Sequence, residues 1–334
     1  MDIIRILNEQ FRGFFSIDGI VRIISSGDYS RLLTYEGITS LIAPILPVIL
    51  ILELLRGLFY RKFDMSAYRI PFFTYLFNSV IGRFISIGMV LLCIGLFERY
   101  ALIRLPFNWY GFIIGYIIWE FAHFIYHFLA HKVRLFWCLH STHHAPEHMN
   151  LFVSHAHFFL EAPYADVIRT SICILLGVPP PMLFVIMFID GTWGSFIHIG
   201  DTMMKKADLG ALGRFILTPS HHRVHHARNP QYMDTNYCNL LNIWDRIFRT
   251  YQPEMDEVPV EYGITRNMKK NSFLDAYFGE IVALAGDIRR APGLKNKFLY
   301  LLMPPGWSHT GEHKTATALK RLSAGNSTGI MRDN

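Results

Sequence analysis

The chain is short of charge. Asp, Glu, Lys and Arg make up only 17% of its 334 residues, against about 25% in an ordinary soluble domain. Hydrophobic residues reach 51% and gather in long runs, so the deficit is local. Paired cysteines are also missing. Cys93, Cys138, Cys173 and Cys238 stand far apart, form no CxxC and require no oxidising compartment. No Lys/Arg block stands beside an aromatic platform, so the net charge of +6 does not point to nucleic acid; it suits an anionic membrane face equally well. There is no internal repeat, no glycine fingerprint for a flavin or dinucleotide, and no cleaved-signal pattern in the first ten residues. These absences exclude a disordered chain, a collagen and a disulfide scaffold. They leave an integral membrane protein with a wet portion.

Apolar runs predict where it crosses. The first extends from about Gly37 to Phe59, the second from about Ile70 to Phe97 with Arg83 inside it, and the third from about Leu105 to Ala130. Each reaches the roughly 20 residues that a span needs. A fourth apolar region, about Val167 to Ile199, is broken at Gly177-Val178-Pro179-Pro180-Pro181. Consecutive prolines cannot continue a helix, so a helical hairpin with its turn at the prolines is expected. Ser272 with Asp275 fits an S-x-x-D helix start, and Ala291-Pro292-Gly293 fits its end. The expected fold is all-α: a helical membrane protein with a histidine-rich di-metal cap at its surface. Its expected parts are an N-terminal arm (1–36), a membrane-embedded domain (37–250), a helical extension (251–312) and a disordered tail (313–334). Arg61, Lys62 and Arg69 against Asp64 predict that the first loop is cytoplasmic; two further crossings bring the histidines to the same side.

Histidine is the abundant oddity, with 16 residues, most of them between His123 and His226. His127 and His131 lie four apart, on one helix face about 6 Å from each other. His140, His143 and His144 form an H-x-x-H-H box, and His222, His225 and His226 repeat that spacing. In a helical turn the first and fourth positions share a side while the adjacent histidine points about 100° away, so one box can serve two neighbouring ions. These imidazoles exceed the four to six positions of one ion, which implies two metals. His198 closes the second arm of the proline hairpin and is the expected ninth ligand. His123, His148, His155, His157 and His221 fall outside the repeated spacing and read as structural; His309 and His313 lie in the polar tail. Imidazole alone does not choose among Zn, Cu, Fe and Ni.

The boxes, in this order, resemble the fatty acid hydroxylase superfamily, also called the sterol desaturase family. Glu120 precedes the first box, Trp137 the second, and Asp234-Thr235-Asn236-Tyr237 with Asn242-Ile243-Trp244-Asp245-Arg246-Ile247-Phe248 resembles the family's ending. The segment His140 to Asn150 and the His198 region resemble most the branch of alkylglycerol monooxygenases and bacterial ornithine-lipid hydroxylases. The resemblance implies a di-iron centre, with zinc able to substitute, that hydroxylates an acyl or alkyl C–H of a bilayer lipid with O₂. With no flavin or dinucleotide fingerprint in the sequence, an electron donor outside the chain is expected, either a redox protein or a soluble reductant, and the expected place is a bacterial inner membrane with the site facing the cytoplasm. Glu120, Asp234 and Asn236 are the expected hydrogen-bonding partners behind the ligands, and no catalytic residue is expected beyond the metal centre. A desaturase with the same centre, or a membrane metal transporter or store, are the alternatives.

Overall fold

The computed structural model describes residues 12, 17–60, 64–78, 82–201 and 203–330. Among these the regular structure is helical, with only two isolated bridges, Ile216 to Leu241 and Ala227 to Tyr262. The N-terminal arm up to residue 16, except Arg12, and the charged positions Arg61 and Lys62 lie outside the described residues.

Helix α1 (Ile17–Ser26) leads to α2 (Tyr35–Ile42), which begins where the Thr34 side chain accepts from the Gly37 N–H, and then to α3 (Ile45–Phe59). Helix α3 is inverted relative to a soluble helix: Val48, Leu52, Leu55 and Phe59 face outward while Glu53 and Gly57 are buried. That pattern suits an apolar solvent. The stretch Gly37–Phe59 has 23 residues and Trp109–Lys132 has 24; both are long and apolar enough to cross a bilayer.

In the second expected span the described residues form α4 (Met65–Asn78) and α5 (Gly82–Phe97). The Asn78 amide donates to the His157 carbonyl, and its oxygen accepts from the Tyr277 hydroxyl at 2.6 Å.

Helix α6 (Trp109–Lys132) is the central rod, started by Asn108, whose side chain accepts from the Gly111 N–H. Behind its end sits α7 (Arg134–His144). The proline run forms a turn between α8 (Glu161–Leu175) and α9 (Pro180–Phe196). Gly177 has φ +83° there, and a Cβ would lie 2.1 Å from the Ile103 carbonyl oxygen, so only glycine fits. Pro180 and Pro181 open α9, where no helical N–H bond is lost. Leu105, Tyr116, Trp119, Cys173, Met182 and Ile186 form the core between α6, α8 and α9.

The remaining helices close over the α7 end of this bundle. They are α10 (Pro219–His225), α11 (Ile243–Ile247), α12 (Phe273–Arg290) and α13 (Gly293–Leu302). Ser272 caps α12 by accepting from the Asp275 N–H, as the S-x-x-D pattern predicts. Within the tail expected to be disordered, Ala316–Ile330 forms helix α14, and residues 331–334 lie outside the described residues. Ala316, Ala318, Leu319, Lys320 and Arg321 are strong helix formers, and the Lys314 N–H donates to the Gly306 carbonyl at 2.7 Å, fixing the start of the segment to the body.

Candidate metal centre

Three short helical pieces converge at the end of α6. His127 and His131 come from its last turns, His140, His143 and His144 from α7, and His222, His225 and His226 from α10 and its cap. Thr218 starts α10 by a capping box with His221, and Pro219 follows at the first position. His221 therefore serves the helix rather than the cluster. Its Nε2 also meets the Tyr251 hydroxyl at 2.8 Å.

The imidazoles sort into two buried groups. His127, His131, His140, His144 and His225 form one; His143, His198, His222 and His226 form the other. In each, one ring nitrogen per residue lies within 4.8 Å of all the others, so each group could hold a metal ion. Adjacent histidines in each box go to different groups because neighbouring helical positions diverge. His198 is brought in by the end of α9, with its Nε2 3.2 Å from His143 Nε2 and 2.9 Å from His222 Nε2.

Backbone carbonyls set the tautomers. A carbonyl only accepts, so the ring nitrogen facing it must carry the proton. His127 Nδ1 faces the Tyr237 carbonyl at 2.9 Å, His225 Nδ1 the Thr235 carbonyl at 2.8 Å, and His198 Nδ1 the Gly194 carbonyl at 2.6 Å. His140 Nδ1 faces the Glu161 carboxylate. These four rings therefore present a bare Nε2 lone pair. Two of them, on His127 and His140, lie 3.1 Å apart with no proton to share, while His131 Nε2 and His225 Nε2 are buried without a partner. Opposed lone pairs and orphaned nitrogens in a buried site are costly unless a cation lies among them. The donor set thus fits metal ions. Burial, reinforced by the neighbouring imidazoles, holds His143, His144, His222, His225 and His226 well below the usual histidine range; they are neutral, the form that coordinates.

Of the three partners expected behind the ligands, only Asp234 faces one. Its carboxylate is 3.6 Å from His131 Nδ1 and pairs with Lys132. Glu120 reaches no ring nitrogen; it accepts from the backbone N–H groups of Asn239 (3.1 Å), Leu240 (2.7 Å) and Leu241 (3.0 Å). Asn236 likewise holds backbone, donating to the His221 carbonyl at 3.0 Å and accepting from the Gln252 N–H at 2.8 Å. Both act on the loop after α10, which Asp245 also ties by accepting from the Tyr237 and Cys238 N–H groups at 2.8 Å. That loop carries the Thr235 and Tyr237 carbonyls that orient His225 and His127.

Sequence reasoning missed Glu161 and set His157 aside. Buried Glu161 accepts from His140, from His157 Nδ1 at 2.9 Å and from the Tyr126 hydroxyl at 2.9 Å. The His157 ring stacks on His143 with centroids 4.1 Å apart. The only local signal was a lone His-x3-Glu pair. His309 and His313 stay away from the cluster and touch Tyr300 and Trp307.

A helical domain with two histidine groups, each suited to one ion, is the class that fold and site define. Residues 112–250, which contain all nine of these imidazoles, match the family model of the fatty acid hydroxylases. Human alkylglycerol monooxygenase is 31% identical over 216 residues, covering 64% of this chain and 46% of that protein. The alkylglycerol monooxygenase of Caenorhabditis elegans is 29% identical over 243 residues, covering 68% and 45%. Ornithine lipid hydroxylase OlsE of Rhizobium tropici is 27% identical over 158 residues, covering 47% and 46%. The chain thus spans about half the length of these relatives. No solved structure matches it.

Proposed function

We propose that the chain is a membrane-embedded, O₂-dependent lipid hydroxylase with two metal ions, iron in the active protein. The observation that carries this reading is the division of nine buried imidazoles into groups of five and four with bare nitrogens turned inward. His127, His131, His140, His144 and His225 would hold one ion, and His143, His198, His222 and His226 the other. Iron held there supplies O₂ activation and attack on a C–H bond. The protein's own part is to keep the imidazoles neutral, to fix their rings through Glu161 and the carbonyls of Gly194, Thr235 and Tyr237, and to exclude bulk water. In the net reaction one atom of O₂ becomes the new hydroxyl and the other leaves as water. Two electrons and two protons come from a donor outside the chain.

The outward apolar face of α3 and the length of α6 support a membrane-spanning arrangement with the histidines at one bilayer face, the cytoplasmic one. An acyl or alkyl chain then approaches sideways from the lipid. Both sets of relatives named above act, by their names, on lipids. Expression under heavy-isotope O₂ followed by lipid mass spectrometry tests the reading. The expected result is a lipid gaining one labelled oxygen, absent from a His143→Ala variant. Loss of two hydrogens without oxygen would show a desaturase instead. An unchanged lipid profile with altered cellular iron or zinc would refute the hydroxylase.

A further inference from the structure

Helices α12 and α13 lie beyond the residues 112–250 that match the family, and neither contains a histidine. What they turn outward is apolar. On α12, Leu274, Phe278 and Val282 stand four apart and are exposed, Val282 at 69%. On α13, Leu294, Phe298 and Leu302 repeat that spacing, with Leu294 at 85%. A stripe so spaced is normally the face a helix turns to its core. Here the core takes another face, because Leu284, Ala291 and Tyr300 pack with Cys138 of α7. Each helix therefore has a second apolar side, left uncovered among the described residues.

Positive charge frames that side. At about 100° per residue, Lys295 and Lys297 fall on the two flanks of the α13 stripe. Arg289 continues the α12 stripe seven residues after Val282. The acidic groups of α12 are matched internally: Asp275 and Glu280 pair with Arg266, and Asp287 pairs with Arg134 and Arg290. No ion pair takes up Arg289, Lys295 or Lys297 among the described residues. Residues 287–302 carry four cations and one acid, a net charge of +3. The apolar surface is also continuous with that of α4. Phe273 lies against Phe73 and Phe77, with ring centroids 6.1 and 6.0 Å apart, and both α4 rings face outward beside Phe72 and Leu76.

We propose that α12 and α13 form an interfacial anchor. Their stripes enter the headgroup–acyl boundary of the bilayer face that carries the histidines, and Arg289, Arg290, Lys295 and Lys297 bind phosphates of anionic lipids there. An apolar stripe edged by lysine on both sides suits a helix lying in the plane of a bilayer surface: the lysine stems cover its edges while the ammonium groups reach outward. From the reading above the anchor takes only the place of the bilayer. It is joined to the metal centre through Arg134, the first residue of α7, which pairs with Asp287 and whose N–H donates to the Met303 carbonyl at 3.1 Å. Helix α7 carries His140, His143 and His144, so the anchor sets the depth of these ligands against the lipid surface.

Cys93, Cys138, Cys173 and Cys238 are all buried, so one introduced surface cysteine can be labelled selectively. The full chain with Phe298→Cys, carrying an environment-sensitive fluorophore, is placed in nanodiscs of neutral phosphatidylcholine alone or mixed with anionic phosphatidylglycerol. Nitroxides attached near the lipid headgroup should quench this label strongly in the mixed bilayer, and nitroxides deep in the acyl region only weakly. Lys295→Gln with Lys297→Gln should lower the ratio of docked to free label, read from its two fluorescence lifetimes, about 25-fold, at about fivefold per charge removed. Unchanged metal content shows that these variants fold. Leu52→Cys, on the outward face of α3, should be quenched by the deep nitroxides in both bilayers. No quenching at Phe298→Cys while Leu52→Cys is quenched would overturn the anchor, and equal quenching in both bilayers would overturn the anionic-lipid contact. Energy transfer between labels on two chains would overturn it in favour of a second copy covering the stripe. If Leu52→Cys is unquenched while Phe298→Cys responds as expected, the membrane-spanning reading fails and the anchor stands.

Discussion

Replacing Glu161 with Gln probes how the cluster is held. The carboxylate accepts from His140, His157 and Tyr126, and of these only His140 belongs to the five-histidine or the four-histidine group. The amide keeps the size and can still offer its oxygen to His140 Nδ1 and Tyr126 while its NH₂ turns to His157, which changes tautomer. What is lost is charge assistance. A hydrogen bond to a charged group is worth about 1.5–3 kcal/mol against about 0.5–1.5 for a neutral one, so the His140 bond weakens by about 1–1.5 kcal/mol. That is about a tenfold drop in metal affinity, at the low end of the 10–100-fold typical of groups behind metal ligands. Glu161→Ala leaves the buried His140 and Tyr126 donors and the half-buried His157 unpaired and should cost more. Metal retention during titration with a chelator, read per ion by elemental analysis, measures this. The ion of the five-histidine group should be lost first, and that of the four-histidine group should hold. Equal loss from both groups, or unchanged affinity in Glu161→Ala, would refute the role given to Glu161.

Metal content itself should be two ions per chain after anaerobic reconstitution with iron; a value near one would remove the two-group reading. Glu53 accepts from the Leu151 N–H at 3.0 Å and the Gly200 N–H at 2.9 Å, so Glu53→Ala strands two buried donors at about 1–3 kcal/mol each. Thermal unfolding in detergent should fall clearly, and Glu53→Gln should restore part of it. The metal-free protein should lose stability on acidification. For His143, His144, His222, His225 and His226 the folded pKa is depressed below the ordinary value of 6.5. The unfolded chain then binds more protons, and stability falls as pH drops below about 6.5 by up to about 1.4 kcal/mol per group per pH unit. Bound metal should move that loss to lower pH, which unfolding scans across pH 7 to 5 with and without iron would show.

Eight of the nine imidazoles were legible in sequence because helical spacing carries them, in His127-x3-His131 and two H-x-x-H-H boxes; His198 was legible only from its place at the end of the proline hairpin. That adjacent histidines would diverge was also legible, since it follows from the helix itself. Which histidine joins which group was not. His143 meets His198 and His222 only because α9 and α10 converge on α7, and such convergence leaves no mark in local spacing. Glu161 was hidden for the same reason, being 21 residues from the histidine it holds. Glu120 and Asn236 were placed in the right neighbourhood but given the wrong partner, because backbone N–H and carbonyl groups compete for polar side chains and are invisible in a side-chain pattern. Hydropathy marked the apolar runs and the prolines marked the hairpin, but counting apolar residues does not see Asn78 bonded to His157 and Tyr277.

The loop after α10 has a consequence for how the site can be damaged. Asp234 and Asn236 sit at φ +55° and +57°, a left-handed conformation that costs a side-chain-bearing residue about 1 kcal/mol or more. The alternation leaves the carbonyls of Thr235 and Tyr237 against His225 and His127. What writes the protonation pattern of these two rings is therefore main chain, and no truncation of the Thr235 or Tyr237 side chain erases it. Alanine at Thr235 or Tyr237 would pass over the device that sets which nitrogen faces inward. An inserted residue, or a proline that forbids the left-handed turn, would expose it, leaving every histidine in place and two of them turned to the wrong tautomer.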